Sequence, residues 1–467
     1  MPIGVIPTEL GTKKISTLLK DYAVPGIIAM TASSLYNMVD SIYIGHIKDV
    51  GSYAISGLAV TFPLMNLSSA LGTLVGVGAS TMLSVLLGQK NYEASNKVLA
   101  NEVTLNTIIG ILFGVLCLAF LDPILMFFGA SENTLPYARQ YMEIILVGNV
   151  FTHLYFGLNS VIRAAGNPKL AMGLTLFTVI SNSIMDPIFI FGLGMGIRGA
   201  AIATVLCQVM ALSYAIYYFY DQKKFIHLPK KFFGLEWRIA KDSLTIGMGP
   251  FLMNAAACIV ALFVNQQLLK YGGDLGIGAY GIVNRISFLF VMVVMGLNQG
   301  MQPIAGYNFG ARKYSRVKEV FLLTAKLATL VMAVGFLVGE FCPSLAVSVF
   351  TSDPELKTIA SKGLRIMNIA FPVIGFQMVA TNLFQCLGMV KKSIFLSLSR
   401  QLIFLLPALY LLPVWTGVKG VWISFPLSDL LATVATLILM ISLIRKLNRL
   451  KDGEAPSILG SQIKENN

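Results

Sequence analysis

The sequence predicts an all-α integral membrane fold of twelve transmembrane helices, arranged as two parallel-repeat six-helix lobes around a central cavity. Three observations predict it. The 467 residues are 56% hydrophobic, only 12% are charged, and the mean hydropathy is +0.74, whereas soluble domains carry about 25% charged residues. Long apolar runs recur along nearly the whole chain, as at 170–193 and 430–444, each bounded by charge or turn residues. Short motifs of the first half return at corresponding places in the second.

Charged and Gly/Pro-rich breaks place helices at 16–44, 54–87, 96–121, 134–163, 168–192, 198–220, 240–270, 277–307, 317–341, 356–386, 392–413 and 418–446. With the N-terminus inside, the inner connections collect the basic clusters: Lys90 and Lys97, Lys223 and Lys224, Arg312 and Lys313, Lys391 and Lys392, Arg445 and Lys446. The outer connections are sparse in Lys and Arg, which predicts that both termini are cytoplasmic and that the helix number is even. The net charge of +13 is thereby a matter of topology and not of nucleic-acid binding. The five cysteines lie in apolar stretches without metal-ligand or disulfide spacing.

The longest polar interruption falls near the middle, so the expected organisation is a first lobe at 1–220, a cytoplasmic linker at 221–241, a second lobe at 242–447 and a polar cytoplasmic tail at 448–467. Pro25 of the first helix matches Pro250 of the seventh. Gly88-Gln-Lys-Asn-Tyr92 matches Gly310-Ala-Arg-Lys-Tyr314, and Gly196-Ile-Arg-Gly199 matches Gly417-Val-Lys-Gly420. Six helices per half keep the two copies in the same orientation in the membrane.

An ionisable group inside a span is costly and needs a reason. In the first lobe Asp40 lies roughly 22 Å along the first helix from Pro25 at about 1.5 Å per residue, and Asp186 lies well inside the fifth. Asn182 precedes Asp186 by four residues and shares its helix face. Pro187 removes a backbone donor and displaces the carbonyl of Ser183. Thr204, early in the sixth helix, is expected at a comparable depth. These are hard oxygen ligands, a set that suits Na⁺, or H⁺ if one carboxylate protonates. The second lobe carries Asn265 and Pro407 at the positions of Asp40 and Asp186, so the lobes are chemically unequal. Its deep carboxylate is Asp429, with Glu340 near a helix end; Asp429 is a candidate for substrate or proton binding. Met292 and Met295, near Phe288 and Phe290 in the eighth helix, could line an adaptable apolar pocket. Arg400 lies within reach of the interface, where a long side chain can snorkel.

No GxxxxGK[ST] or GxGxxG context is present, so ATP-driven transport is not supported and the energy source is expected to be an ion gradient. No cofactor is expected beyond that coupling ion. An intramembrane enzyme would need a nucleophile, metal or acid/base set; His46, His153 and His227 have no ligand spacing, and neither HExxH nor GxSxG occurs.

The repeat, the Asp40 helix, the Gly88-Gln89 turn, Arg163-Ala-Ala-Gly-Asn-Pro168 and Asn182-Ser-Ile-Met-Asp-Pro187 together resemble the MATE family, the multidrug and toxic compound extrusion transporters, over residues 14–446. The resemblance is to the prokaryotic, DinF-like branch. It implies a two-lobed bundle that exports small amphiphilic, cationic molecules by alternating access in antiport with Na⁺ or H⁺, as a monomer among the lipids of the cell's inner membrane. It also implies a first-lobe cation site at Asp40, Asn182, Asp186 and Thr204, with Tyr141 and Asn159 in that lobe's polar network. Eighteen residues of helix span about 27 Å, too far for Tyr141 and Asn159 to touch one ion. The second-lobe carboxylate pair of another branch has no match in the seventh and eighth helices. A flippase for lipid-linked precursors is the alternative transport reading and would predict a basic central cavity.

Overall fold

The structure is a computed structural model that describes residues 9–45, 47, 51–228, 234–351 and 353–455; the side chains of 35–42, 45, 51–53, 55, 56, 59 and 274 lie outside the description. Its helices follow the predicted order: α1 (Ile15–Gly45), α2 (Gly51–Gly88), α3 (Tyr92–Ala119), α4 (Leu135–Val147 with Asn149–Ala164), α5 (Pro168–Pro187) and α6 (Ile197–Tyr220). The second half repeats the series as α7 (Trp237–Gly273), α8 (Leu275–Gly310), α9 (Tyr314–Phe341), α10 (Pro354–Asn368 with Phe371–Cys386), α11 (Val390–Leu398, extended through 399–405 to Leu406–Thr416) and α12 (Val418–Arg449). Among the described residues nine helices are long and apolar enough to cross a membrane, or eleven if each bent pair is one span. Helix α1 completes the twelve.

By their internal contacts the residues fall into two units, one of 1–9 and 28–251, the other of 10–27 and 252–467. The chain passes from one to the other just after Pro25 and just after Pro250, so each unit receives the opening segment of the other half's first helix. Glycines let these segments in. In the second unit Gly26 and Gly296 meet backbone to backbone between α1 and α8, where a Cβ on Gly296 would stand 2.5 Å from Ile27 Cα. In the first unit Gly247 of α7 lies so close to Leu74 of α2 that a Cβ would overlap the Leu74 carbonyl oxygen.

The matched motifs adopt matched conformations. Lys90 and Arg312, in the turns after α2 and α8, both take positive φ, at 60° and 56°. Gly196 (φ 57°, ψ −137°) and Gly417 (φ 62°, ψ −141°) open α6 and α12 in a region open only to glycine. Two features escaped the sequence. Helix α4 bends by 56° at Gly148 and α10 by 53° after Asn368. At Gly148 a Cβ would stand 2.6 Å from the Val205 methyls, so the bend brings α6 against bare backbone; in α10 Pro372 opens the second piece and cannot continue the ladder. Helix α3 starts at Tyr92, four residues before the predicted 96, because the Asn91 side chain accepts a 3.1 Å bond from the Ala94 amide and caps it there.

Candidate cation-coupling site

Helix α5 lays Asn182 and Asp186 one turn apart on a common face, 2% and 0% exposed, and α6 brings Thr204 against them. Asn182 Nδ2 donates to Thr204 Oγ1 at 3.3 Å, and Thr204 Oγ1 donates to the Ala200 carbonyl one turn back on its own helix at 3.0 Å. Those two bonds fix the amide so that Asn182 Oδ1 stays buried with no hydrogen-bond donor. A buried carbonyl oxygen without a donor is uncommon in native interiors and costs roughly 1–3 kcal/mol unless something fills its need. Beside a fully buried carboxylate, a bound cation or a protonated acid would fill it. Pro187 ends the regular helix, and the chain continues as a wide π-helical turn over Ile188–Gly192, the local loosening expected where a backbone donor is missing.

Asp40 lies on α1, and its side chain falls outside the described residues. The other two polar residues tied to this lobe do not meet. Tyr141 stands before the bend of α4, 1% exposed in an apolar cluster with Ala138, Met142, Ile145 and Ala200. Asn159 stands after the bend and donates from Nδ2 to Thr175 Oγ1 at 3.0 Å, about two turns of α5 before Asn182.

In the second unit Asp429 is deep in α12, 3% exposed, and is met by Arg400 from the π-helical stretch of α11, with Nε donating to Oδ1 at 2.5 Å. Arg400 therefore turns inward to a carboxylate instead of snorkelling. Met292 and Met295 are half-buried on α8, as is Glu340 on α9. Buried polar groups that sequence reading passed over include Glu102 and Asn106 on α3 in the first unit, and Asn298, Gln299 and Gln377 in the second; His153 on α4, set aside there for want of ligand spacing, is buried with them. Their shared signal is a polar residue inside an apolar run.

The MatE family model matches residues 25–188 and 247–411. The chain is 28% identical over 426 residues to the multidrug export protein MepA of Staphylococcus haemolyticus, covering 91% of this chain and 93% of that protein. Among solved structures it is similar to an outward-facing multidrug resistance MATE family transporter of the MOP superfamily, with a TM-score of 0.88, 23% identity and coverage of 96% and 99%. A MOP superfamily transporter from Pyrococcus furiosus, described as having a binding pocket of reversed polarity, aligns with a TM-score of 0.88 at 23% identity over 95% of this chain and 99% of that one. With two copies of the family pattern laid along its two halves, the chain belongs to the MatE family, the multidrug and toxic compound extrusion transporters.

Proposed function

We propose that this protein is a secondary active efflux transporter that exports small amphiphilic, cationic compounds against an inward flow of Na⁺ or H⁺ by alternating access. Its place is the cell's inner membrane, with both termini in the cytoplasm, and it works as a monomer. The observation that carries the reading is the fully buried Asp186 beside Asn182, whose carbonyl oxygen has no donor. The MepA relatives, named as multidrug export proteins over nine-tenths of their length, support the substrate class.

The coupling ion sits at Asp186, Asn182 and Thr204, with Asp40 of α1 completing the set. A proton there neutralises one carboxylate; Na⁺ takes the carboxylate and amide oxygens. Either one shifts the balance of conformations only if it binds them unequally. Helix α1 is the natural responder, because it holds Asp40 in one unit while its first part packs in the other.

The test is ethidium efflux from cells expressing the protein, with a Na⁺ gradient and a pH gradient imposed separately. Efflux should follow one gradient and vanish in Asp186→Asn and in Asp40→Asn while the protein still reaches the membrane. Undiminished efflux in both variants would overturn the assignment.

A further inference from the structure

A second buried acid lies in the first unit, away from the α5–α6 site. Glu102, on α3, is 1% exposed. It rests on Gly157 of α4, where a Cβ would overlap Glu102 Oε1, and Gly157 in turn faces Gly76 of α2, a Cβ on which would stand 2.7 Å from Gly157 Cα. Three helices thus close over the carboxyl group, and two glycines make the room for it.

Glu102 Oε1 accepts from Asn106 Nδ2 at 2.7 Å, one turn along α3. The two remaining oxygens of this pair, Glu102 Oε2 and Asn106 Oδ1, are both buried and both without a hydrogen-bond partner. A single proton answers both. Placed on Oε2, it turns the carboxylate into an acid whose O–H can donate to the same amide that already donates to Oε1, giving the two-bond ring of an acid paired with an amide. An ionised carboxylate here, 1% exposed, would have one amide donor for its charge, at a cost of several kcal/mol. Sodium is a poorer fit, because this pocket supplies two free oxygens where hard cations usually take six or more.

The surroundings supply no opposite charge. Helix α2 carries no Asp, Glu, Lys, Arg or His between 51 and 88. Helix α4 contributes His153, one turn from Gly157, and Arg163, six residues beyond Gly157 in the last turn of the helix. The start of α7, which packs on Leu105 through Ala240, carries Arg238, Lys241 and Asp242. At the mouth of α3 Lys97 is paired with Glu93 and Glu236. Among the described residues none of these bases forms an ion pair with Glu102.

His153 is arranged as a base in the same interface. Asn149 Nδ2 donates to the Gly110 carbonyl at 3.2 Å, which orients its amide, and Ser68 Oγ donates its proton to Asn149 Oδ1. The contact between Ser68 Oγ and His153 Nε2, at 3.2 Å, must then be donated by the imidazole. Nδ1 is left as the acceptor, buried and without a partner.

We propose that Glu102 is a proton-binding site of the first unit, separate from the Asp186 site. Asn106 stabilises its protonated form and His153 is a second proton acceptor on the same three-helix interface. The ligand is a proton; the site holds it in the conformation seen here and yields it when the α2–α3–α4 packing opens to water.

The full chain in liposomes is grown with ¹³C-glutamate and followed by infrared difference spectroscopy through a pH titration. Glu102 is the buried glutamate among the described residues, so its carbonyl band carries the label while Asp186 and Asp429 do not. The expected result is a labelled protonated-acid band that is present at neutral pH and disappears reversibly as the pH is raised. Glu102→Gln, which keeps both hydrogen bonds, should remove that band and flatten the pH profile of efflux; Asp186→Asn should leave the band in place. No such band at neutral pH, or one that never titrates while the protein stays folded, would overturn the proposal. The wild-type titration decides it even if Glu102→Gln fails to insert, and loss of efflux in Asp186→Asn with an intact band separates this site from the coupling site.

Discussion

The two units share a chain path and differ in what they bury along it. A register of 222 residues aligns Tyr92–Ala119 with Tyr314–Phe341 and Asn149–Ala164 with Phe371–Cys386. In that register Ser68, Glu102, Asn106, Asn149 and His153 of the first unit correspond to Phe290, Thr324, Ala328, Phe371 and Gly375 of the second. The second unit fills these positions with apolar contacts: Phe290 meets Phe371 edge-on at 6.5 Å, and Gly375 lies against the Ala328 carbonyl. Thr324 satisfies itself on the Val320 carbonyl at 2.7 Å. A nearby serine–asparagine–carbonyl trio, Ser287 to Asn368 to the Gly335 carbonyl, is fully paired. At these five positions the second unit carries no acid, amide or imidazole, and its amides, Asn368 among them, lie elsewhere on the same helices.

The carboxylates divide in the same way. Asp429 is paired inside its own unit with Arg400. Asp186 is fully buried on the face of α5 that carries Asn182, which is bonded to Thr204 of α6. The largest effect that separates the units is thus functional: Asp186→Asn should abolish gradient-driven efflux, whereas Asp429→Asn should retain much of it in whatever protein folds. Efflux assays normalised to membrane-inserted protein compare the two. Loss in Asp429→Asn and survival in Asp186→Asn would reverse the assignment of roles.

Next in size is the transplant of the acid. Thr324→Glu puts a carboxyl group where Ala328 offers no amide and Val379 stands in place of Gly157, so it should lower stability by about 3–5 kcal/mol. Glu102→Gln, which keeps its hydrogen-bond pattern, should stay within about 1 kcal/mol of the wild type. Thermal melting in detergent measures both, and a mild Thr324→Glu would mean that the second unit has hidden room for an acid. Arg400→Ala leaves Asp429 buried without its partner. The expected loss is smaller, about 2–3 kcal/mol, because the Arg400 side chain is 35% exposed and water already shares its charge. Adding Asp429→Asn to Arg400→Ala should recover part of it.

Much of this was legible in the sequence. The pairing of Gly196 with Gly417, and of the turns at Lys90 and Arg312, was visible as motif before their shared backbone conformations were known. The i, i+4 spacing of Asn182 and Asp186 with Pro187 behind them led straight to a common face. Glu102 was not legible, because its burial is made elsewhere in the chain: Gly157 and Gly76 clear the space, and nothing near residue 102 announces them. The bend in α4 was hidden for a related reason, since Gly148 matters through Val205 of another helix. Arg400 read as a snorkelling residue until α12 supplied Asp429. What a sequence withholds is the side of a contact contributed by a distant segment.

The smallest effects test whether the two crossings of the chain are equivalent. At Gly247 an added methyl overlaps the Leu74 carbonyl, and at Gly296 it presses on Ile27 Cα at 2.5 Å; both obstacles are backbone, which cannot rotate aside. Each Gly→Ala should cost about 1–3 kcal/mol from overpacking, although alanine is the better helix former. Gly173 on α5 has nothing within 4 Å of the position a methyl would take, so Gly173→Ala should instead gain about 0.5–1 kcal/mol from helix propensity alone. Equal losses at Gly247 and Gly296, set against a gain at Gly173, would show that the α7–α2 and α1–α8 contacts hold their units with equal force. A loss at Gly247 with none at Gly296 would mean that the α1–α8 contact gives way readily, leaving α1, the helix that carries Asp40, as the one freer to move.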